Sequence, residues 1–295
     1  MSLPDHRSSA VAGRAPVDGV VALVVPGDVG VPLAVDIRAA GPEPAAGVPP
    51  VLLVHGFGAS ARSNWAGTGW LSGLHRAGLT TVTVDLRGHG RSGKPLHGSR
   101  YRLAVLLADL RAVLAALPAV LGPVPIIDLV GYSLGGRLVG ESVAEAGNFP
   151  GRAPWPAGLP AVRRAVIGGY DGRPLFEGLD DAQLGFYRDA VAGRPTPEGV
   201  GSRTAAIATA DRTNDLAALS ALVAGLRVDD EPLPAAAVGV PTLVVAGERD
   251  AITPGTRSWA AGLPQGRHLS IPGRNHISTV TSAVFRTAAV EFLLA

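Results

Sequence analysis

The sequence has 295 residues, of which 47% are hydrophobic, and a formal net charge of +2. That length and apolar content suffice for one sizeable core, so we predict a single domain spanning residues 1–295. The small net charge, with arginines scattered along the chain, excludes the basic footprint of a nucleic-acid-binding protein. The lack of cysteine excludes a disulfide framework, thiolate chemistry and cysteine-ligated metal.

The N-terminal segment carries no recognisable targeting signal. Its apolar run, residues 20–25, is six residues long. A transmembrane helix needs about 20 apolar residues, and a signal peptide needs a longer apolar region than this one. We therefore expect no stable membrane insertion and a cytoplasmic protein.

Short apolar runs alternate with helical patterns along most of the chain. The first two runs, residues 20–25 and 31–38, flank a Pro/Gly turn and predict an antiparallel hairpin. Later runs are typical of strands buried on both faces and cover residues 51–54, 80–84, 126–130, 165–167, 242–246 and 267–271. Apolar spacings of three and four predict helices at residues 67–77, 102–117, 134–146, 254–262 and 278–294. This order predicts an α/β fold with a mostly parallel, doubly wound sheet and the hairpin at one edge.

Residues 170–239 break this alternation. They contain no buried-strand run, and two helical stretches, residues 180–192 and 203–226, follow each other directly. We predict that residues 170–239 form a helical cap inserted in the α/β domain. The alternative is a set of extra helices packed on the edge of the sheet.

A Gly-x-Ser-x-Gly pentapeptide is centred on Ser133. In a chain with 39 glycines, such a match is weak by itself. Its context is more specific, because a predicted strand lies directly before it and a predicted helix begins at Leu134. Ser133 would then occupy a sharp strand-to-helix turn, where a side chain at Gly131 or Gly135 would collide with its neighbours. Amide donors and the positive helix end would lie beside the hydroxyl, which makes Ser133 the candidate nucleophile.

Further motifs lie in order around this serine. They are His-Gly-Phe-Gly at residues 55–58, Asp-Leu-Arg-Gly-His-Gly-Arg-Ser at residues 85–92, and Gly-Glu-Arg-Asp at residues 247–250 followed by His276. With these motifs, nearly the whole chain, residues 20–294, resembles the α/β-hydrolase superfamily. The resemblance places Asp250 at the carboxyl end of the sheet.

The resemblance also implies the roles of individual residues. Ser133, Asp250 and His276 match the nucleophile, acid and general base of the superfamily, in its chain order. Glu248 is the alternative acid. The backbone N–H groups of Phe57 and Leu134 match the two donors of an oxyanion hole.

The other histidines are assigned supporting roles. In the resemblance, His89 belongs to a structural loop, and His55 supports the oxyanion loop. No pair of histidines has metal-ligand spacing with a carboxylate, so we predict neither a metal nor another cofactor.

A serine at the nucleophile position disfavours the haloalkane dehalogenases and epoxide hydrolases of the superfamily, which attack with an aspartate. The resemblance favours a carboxylesterase-like serine hydrolase, with a catalytic triad and an oxyanion hole, that cleaves an ester of a small-molecule acyl substrate through an acyl-enzyme. A carbon–carbon bond hydrolase, an acyltransferase, a perhydrolase and a ligand-binding protein of low turnover are the alternatives.

Aromatic residues near these motifs are candidates for the substrate pocket. Trp65 lies downstream of the oxyanion motif, and the predicted cap contains Phe176, Phe186 and Tyr187. Their rings suit a hydrophobic acyl or alcohol group. For each of them the alternative is packing in the core, and for Trp65 it is anchoring of its own loop.

Overall fold

The structure, a computed structural model, describes residues 12–13, 19–41, 44–176, 178–228 and 231–295. The remaining parts of the predicted domain of residues 1–295 and of the predicted cap lie outside these ranges, including most of the first 18 residues.

The described residues form one nine-stranded sheet. Its strands are β1 (Ala12–Gly13), β2 (Val20–Pro26), β3 (Pro32–Arg38), β4 (Val51–Val54), β5 (Thr81–Val84), β6 (Ile126–Tyr132), β7 (Ala161–Gly168), β8 (Thr242–Gly247) and β9 (Gly266–Ile271). Their spatial order is β1-β2-β3-β5-β4-β6-β7-β8-β9. The first three pairs in this order, β1–β2, β2–β3 and β3–β5, are antiparallel. The other five pairs, from β5–β4 to β8–β9, are parallel.

Helices lie between the strands in the chain. They are α1 (Trp70–Arg76), α2 (Leu103–Ala116), α3 (Pro118–Leu121), α4 (Leu134–Ala146), α5 (Asp181–Val191), α6 (Val200–Thr209), α7 (Leu216–Leu226), α8 (Thr256–Ala261), α9 (His276–Thr279) and α10 (Ala283–Leu294). A π-helical turn, Arg62–Ala66, precedes α1.

Each face of the sheet has its own apolar cluster. In β4, Leu52 and Val54 belong to the cluster that includes leucines of α2 and α4, while Val51 and Leu53 belong to the cluster that includes aromatic residues of α1 and α10. This division follows from the two-residue period of a strand. The predicted fold class, a mostly parallel doubly wound sheet with an N-terminal antiparallel hairpin, is confirmed.

Two arginines interrupt the apolar pattern of β7, so the sequence predicts only residues 165–167 as a strand. In the structure β7 is longer than this run. Arg163 donates to Asp128 on β6 at 2.6 Å and 3.1 Å and to the carbonyl of Leu293 at 2.6 Å. Arg164 donates to the carbonyl of Phe292 at 2.8 Å. These contacts to a neighbouring strand and to the C-terminal helix allow arginines to continue the strand.

The predicted helix of residues 203–226 is two helices, α6 and α7. Between them, the Asn214 amide donates to the carbonyls of Gly58 at 2.8 Å and Ala208 at 3.0 Å. Asp215 then caps α7 by accepting from the N–H of Ala218 at 3.0 Å. Capping by a carboxylate stabilises a new helix start, so the apolar pattern alone was misleading here.

Three helices, α5 to α7, lie between β7 and β8. Helix α5 packs on α6, and α7 packs on the 3-10 turn Gly98–Tyr101. This is the segment in which the sequence predicts a cap, and the cap assignment stays a prediction.

Helices α2 and α3 run together as an apolar segment, Leu103–Leu121. It is the one helical segment among the described residues whose length and composition would suffice to cross a membrane. In the fold, Leu106, Leu110 and Val113 of this segment are buried in the core cluster on one face of the sheet. A core helix of this kind meets the same criterion of length and composition, so the segment is weak evidence for a membrane span.

The parallel strands place the candidate site. Residues that follow β4, β6, β8 and β9 meet at one edge because parallel strands share the side on which their carboxyl ends lie. The motifs of residues 55–58, Ser133, Asp250 and His276 all come directly after these strands.

Candidate active site

Ser133 is held in a strained backbone conformation between β6 and α4. Its φ is 54° and its ψ is −115°, and such a conformation costs about 1–3 kcal/mol in a non-glycine residue. A Cβ on Gly131 would collide with the carbonyl of Gly135, and a Cβ on Gly135 would collide with the carbonyl of Val54. The sharp turn predicted from the pentapeptide is confirmed, and the Ser133 side chain is left half-buried at the start of α4.

His276 lies within hydrogen-bond distance of this serine. Its Nε2 is 3.0 Å from Ser133 Oγ. His276 is the first residue of α9, and Asn275 caps that helix by accepting from the N–H of Ser278 at 2.9 Å. The Tyr132 hydroxyl donates to the backbone carbonyl of His276. The cap and the tyrosine position the imidazole, an interaction that the sequence did not predict although Tyr132 stands inside the pentapeptide.

Asp250 faces the other ring nitrogen of the histidine. Its Oδ2 is 2.9 Å from His276 Nδ1. Asp250 Oδ1 accepts from the N–H groups of Ile252 at 2.9 Å and Thr253 at 3.1 Å, and Oδ2 accepts from the Thr253 hydroxyl at 2.8 Å. An ionised carboxylate is an acceptor only, so the proton of this pair lies on Nδ1 and Nε2 is left as an acceptor for the serine.

The pKa of the Asp250 carboxyl reflects two opposed effects. Burial raises the pKa, whereas the hydrogen bond and charge of His276 and the hydrogen bonds from Thr253 lower it. The stabilising contacts of the ionised form outweigh burial, and the pKa lies below its ordinary value. Asp250 is therefore a carboxylate at neutral pH.

Glu248, the alternative acid, is directed elsewhere. It is exposed, and its Oε2 accepts from the N–H of Gly273 at 2.8 Å. The geometry thus favours Asp250 as the partner of His276.

Two backbone N–H groups beside Ser133 are unpaired. Within the described ranges, the N–H groups of Phe57 and Leu134 donate to no protein acceptor. Both residues line the same cavity as Ser133. Free amide donors next to a nucleophile are what an oxyanion hole requires.

The loop that carries Phe57 is fixed by two buried histidines. His89 Nε2 accepts from the N–H of Gly58 at 3.1 Å, and His55 Nε2 accepts from the N–H of Leu86 at 3.0 Å. Each histidine then carries its proton on Nδ1, which for His55 donates to the carbonyl of Gly56 at 2.8 Å. These bonds agree with the supporting role expected for His55 and the structural role expected for His89.

Both histidines are neutral in the folded protein. Burial lowers the pKa of His89 to about 3, against smaller opposing effects of the Arg87 carbonyl and Asp85. Burial also lowers the pKa of His55, against smaller opposing effects of the Gly56 carbonyl and Asp85. A protonated ring could not accept from the backbone N–H groups that position the loop.

Two cavities meet at Ser133. The smaller has a volume of about 230 Å³ and lies between the residues after β7, α6 and the loop of residues 251–254. The larger, of about 590 Å³, lies between the loop of residues 56–59, the end of α6 and the start of α9. Phe57, Ser133, Ile207 and His276 line both cavities.

Of the four predicted pocket residues, one lines a cavity at Ser133. Phe176 lines the smaller cavity, where its ring lies edge-on to Phe57 with 5.8 Å between centroids. Trp65 lines neither cavity, because it is fully buried in the core against the ring of Trp70. Tyr187 is also fully buried in the core, and the half-buried Phe186 lines neither cavity.

The arrangement suits nucleophilic chemistry by side chains of the protein itself. A hydroxyl, an imidazole and a carboxylate form a continuous series of hydrogen bonds next to two free amide donors. Among the residues that the structure describes, no group of three or more His, Cys, Asp or Glu side chains is placed to hold a metal ion.

Comparisons with known proteins agree with this fold. A family model described as the alpha/beta hydrolase fold matches residues 49–150, which include the loop of residues 55–58 and the strand-to-helix turn at Ser133. No match was found among curated protein sequences.

Several solved structures are similar over nearly their whole length. The enol-lactonase from Burkholderia xenovorans LB400 is 21% identical, with a TM-score of 0.67 over 90% of this chain and 98% of that chain. The esterase EaEST from Exiguobacterium antarcticum is 17% identical, with a TM-score of 0.67 over 92% of this chain and 99% of that chain. The bottromycin epimerase BotH, solved with bottromycin A2, is 19% identical, with a TM-score of 0.64 over 93% of this chain and 98% of that chain.

The sheet order, the turn at Ser133 and these similarities define a protein with the α/β-hydrolase fold. Residues 49–150 match the family model of this fold, and the solved structures share the fold over nearly the whole chain. At such identities the solved structures show the fold alone, and the three similar proteins carry out different reactions, so the reaction has to be argued from the site.

Proposed function

We propose that the protein is a serine hydrolase that cleaves a carboxylic ester, or a related acyl bond, of a small molecule through an acyl-enzyme on Ser133. One observation carries the proposal: Ser133 Oγ, His276 Nε2 and Asp250 lie in hydrogen-bond sequence, at 3.0 Å and 2.9 Å, beside two unpaired amide donors. The esterase and the lactonase among the similar structures support acyl chemistry on this fold.

In the proposed reaction, Ser133 Oγ attacks the carbonyl carbon while its proton passes to His276 Nε2. The carbonyl oxygen becomes an oxyanion and accepts from the N–H groups of Phe57 and Leu134. Asp250 stabilises the imidazolium, which then protonates the leaving alcohol as the ester C–O bond breaks. A water molecule, deprotonated by His276, hydrolyses the acyl-Ser133 and restores the free enzyme.

We also propose that residues 170–239 act as a cap over this site. Phe176 and residues of α6, among them Ile207, line the cavities next to Ser133. Asn214, between α6 and α7, donates to the carbonyl of Gly58 in the oxyanion loop at 2.8 Å. These contacts support a cap that encloses substrate and touches the catalytic loop.

The test combines covalent labelling with steady-state kinetics. A fluorophosphonate should add to the peptide that contains Ser133, and para-nitrophenyl esters should give a burst of para-nitrophenol. Ser133→Ala and His276→Ala should each lower kcat by about 10⁴-fold or more, and the double variant should lose little further activity because the two groups act together. Ser258→Ala changes an exposed serine on α8 and serves as the control.

The outcomes separate the proposal from its alternatives. Labelling of Ser133 with ester turnover supports it. Turnover of β-diketones alone would point to carbon–carbon bond cleavage, and product formation only with an added alcohol would point to acyl transfer. An unlabelled Ser133, or a Ser133→Ala variant with wild-type turnover, would refute it.

A further inference from the structure

The two cavities at Ser133 differ in their charged residues. The smaller cavity is lined by three formally charged side chains, Asp171, Arg173 and Arg203. Along the larger cavity the charged residues are Asp211 and Arg212, which are adjacent in sequence and opposite in sign. By formal charge, the smaller cavity has one more cation than anion, whereas the two charges along the larger cavity are equal in number.

Two of the three charges in the smaller cavity neutralise each other. Asp171 Oδ2 is 2.9 Å from Arg173 Nε and accepts from the N–H of Gly255 at 3.0 Å. Arg173 also donates to the carbonyl of Ile252 at 3.0 Å. These bonds hold the aspartate and its arginine in the wall of the cavity as a pair.

The third charge, Arg203, has no such partner. Within the described ranges, its guanidinium makes no hydrogen bond and no ion pair. Arg203 is the fourth residue of α6, near the helix end at which a positive charge is unfavourable. Arg203 is exposed, so its guanidinium is accessible to a ligand in the smaller cavity.

The larger cavity has the opposite character. Its lining is mainly apolar, with Ala59, Ala206, Ile277 and Val280 among the residues, and Ser63, Asn64, Thr68 and Thr281 add uncharged polar groups. Its volume of about 590 Å³ accommodates an apolar group of considerable size.

We propose that the substrate carries a carboxylate, which Arg203 binds in the smaller cavity while an apolar part of the substrate occupies the larger cavity. One free guanidinium balances one negative charge, and its planar donors match the two oxygens of a carboxylate. This inference rests on the proposed hydrolase function and adds the class of substrate.

The kinetic test uses two matched pairs of esters, because either part of an ester can occupy the smaller cavity. In the first pair the acyl group carries the charge: para-nitrophenyl hemiglutarate against para-nitrophenyl valerate. In the second pair the alcohol carries it: para-acetoxybenzoate against para-tolyl acetate. The measured quantity is the ratio of kcat/KM, anionic to neutral, in the wild type and in Arg203→Gln, so that differences in intrinsic reactivity cancel.

For one of the pairs, Arg203→Gln should lower this ratio by about tenfold, as expected for the loss of one charged hydrogen bond at a partly exposed site. Arg203→Lys should retain part of the preference. Arg188→Gln, which removes an exposed arginine from the neighbouring helix α5 and lies outside both cavities, should retain all of it. Unchanged ratios for both pairs in Arg203→Gln would overturn the proposal.

A binding measurement does not depend on turnover. Calorimetry with Ser133→Ala compares phenylbutyrate with the neutral phenylbutyramide, and the acid should bind about tenfold more tightly. The double variant Ser133→Ala/Arg203→Gln should lose this preference. Equal binding of acid and amide by Ser133→Ala would overturn the carboxylate site. If Ser133→Ala prefers the acid while the wild-type protein turns over no ester, the carboxylate site stands and the proposed hydrolase function is refuted.

Discussion

Replacing Asp250 by asparagine isolates the contribution of its negative charge to the proposed mechanism. Two backbone N–H groups, those of Ile252 and Thr253, donate to Asp250 Oδ1 at 2.9 Å and 3.1 Å. In Asp250→Asn the amide oxygen should take this position, because the amide NH₂ cannot accept from either group. The NH₂ then takes the position of Oδ2 and faces His276 Nδ1.

This orientation of the amide is strongly held. Reversing it would leave both backbone N–H groups without an acceptor, and an unsatisfied buried group costs about 1–3 kcal/mol. With an NH₂ donor at Nδ1, the imidazole must carry its proton on Nε2, where it can no longer accept the Ser133 proton. A wrong tautomer of this kind lowers kcat by about 10⁴-fold, or about 5.5 kcal/mol in the activation free energy.

The assay is steady-state hydrolysis of a para-nitrophenyl ester, with the rate of fluorophosphonate labelling as a second readout. Asp250→Asn should lose kcat with little change in KM, and its melting temperature should show that the fold is intact. Glu248→Gln should stay within about twofold of the wild type, because Glu248 is exposed and bonds to Gly273 rather than to the histidine. Retention of more than a tenth of kcat by Asp250→Asn would refute this reasoning, as would a large loss in Glu248→Gln.

Two further predictions concern stability. A methyl group at Gly135 would collide with the carbonyl of Val54, so Gly135→Ala should lower the free energy of unfolding by about 3 kcal/mol or more. Gly73→Ala, in open space on α1, should raise the free energy of unfolding by up to about 1 kcal/mol. Chemical denaturation measures both changes, and an unchanged stability of Gly135→Ala would contradict the packing. Burial lowers the pKa of His89 to about 3, so below about pH 6.5 the unfolded chain binds a proton that the folded protein excludes. The contribution of His89 to stability is therefore complete above about pH 6.5. It falls by up to about 1.4 kcal/mol per pH unit as the pH drops towards 3. Between about pH 7.5 and about pH 5, the free energy of unfolding of His89→Gln should depend less steeply on pH than that of the wild type. His97→Gln changes an exposed histidine and should show the pH dependence of the wild type. The same pH dependence for His89→Gln and the wild type would contradict a buried neutral histidine.

The sheet could be predicted from the sequence because its strands are short apolar runs buried on both faces. Residues 51–54 form a strand with the predicted bounds, and all four of them are buried. The prediction failed where polar residues continue a regular element through distant partners. Arg163 and Arg164 extend β7 by bonding to β6 and to the C-terminal helix, and no local pattern reveals such partners.

In the candidate site, the residues that follow strands could be predicted from the sequence, whereas the aromatic residues of the pocket could not. Ser133, Asp250 and His276 each follow a strand of a rigid sheet, so a motif and its order along the chain suffice to bring them together. Trp65 and Tyr187 could not be assigned from sequence because an aromatic ring suits a core as well as a pocket, and here both rings pack in the core.

Arg203 shows why substrate specificity is the harder part to predict. In the sequence it is one of 26 basic residues and belongs to no motif. It acquires a distinct environment only when α6 packs beside the loops that carry Phe57 and Ser133, and only when Asp171 is already paired with Arg173. The proposed catalytic residues follow strand ends of the sheet, whereas the proposed recognition residue lies on α6, whose environment depends on how the helices between β7 and β8 pack in this protein. The catalytic motifs do not indicate the charge of the substrate. The ratio of kcat/KM for anionic and neutral esters in Arg203→Gln tests that charge directly.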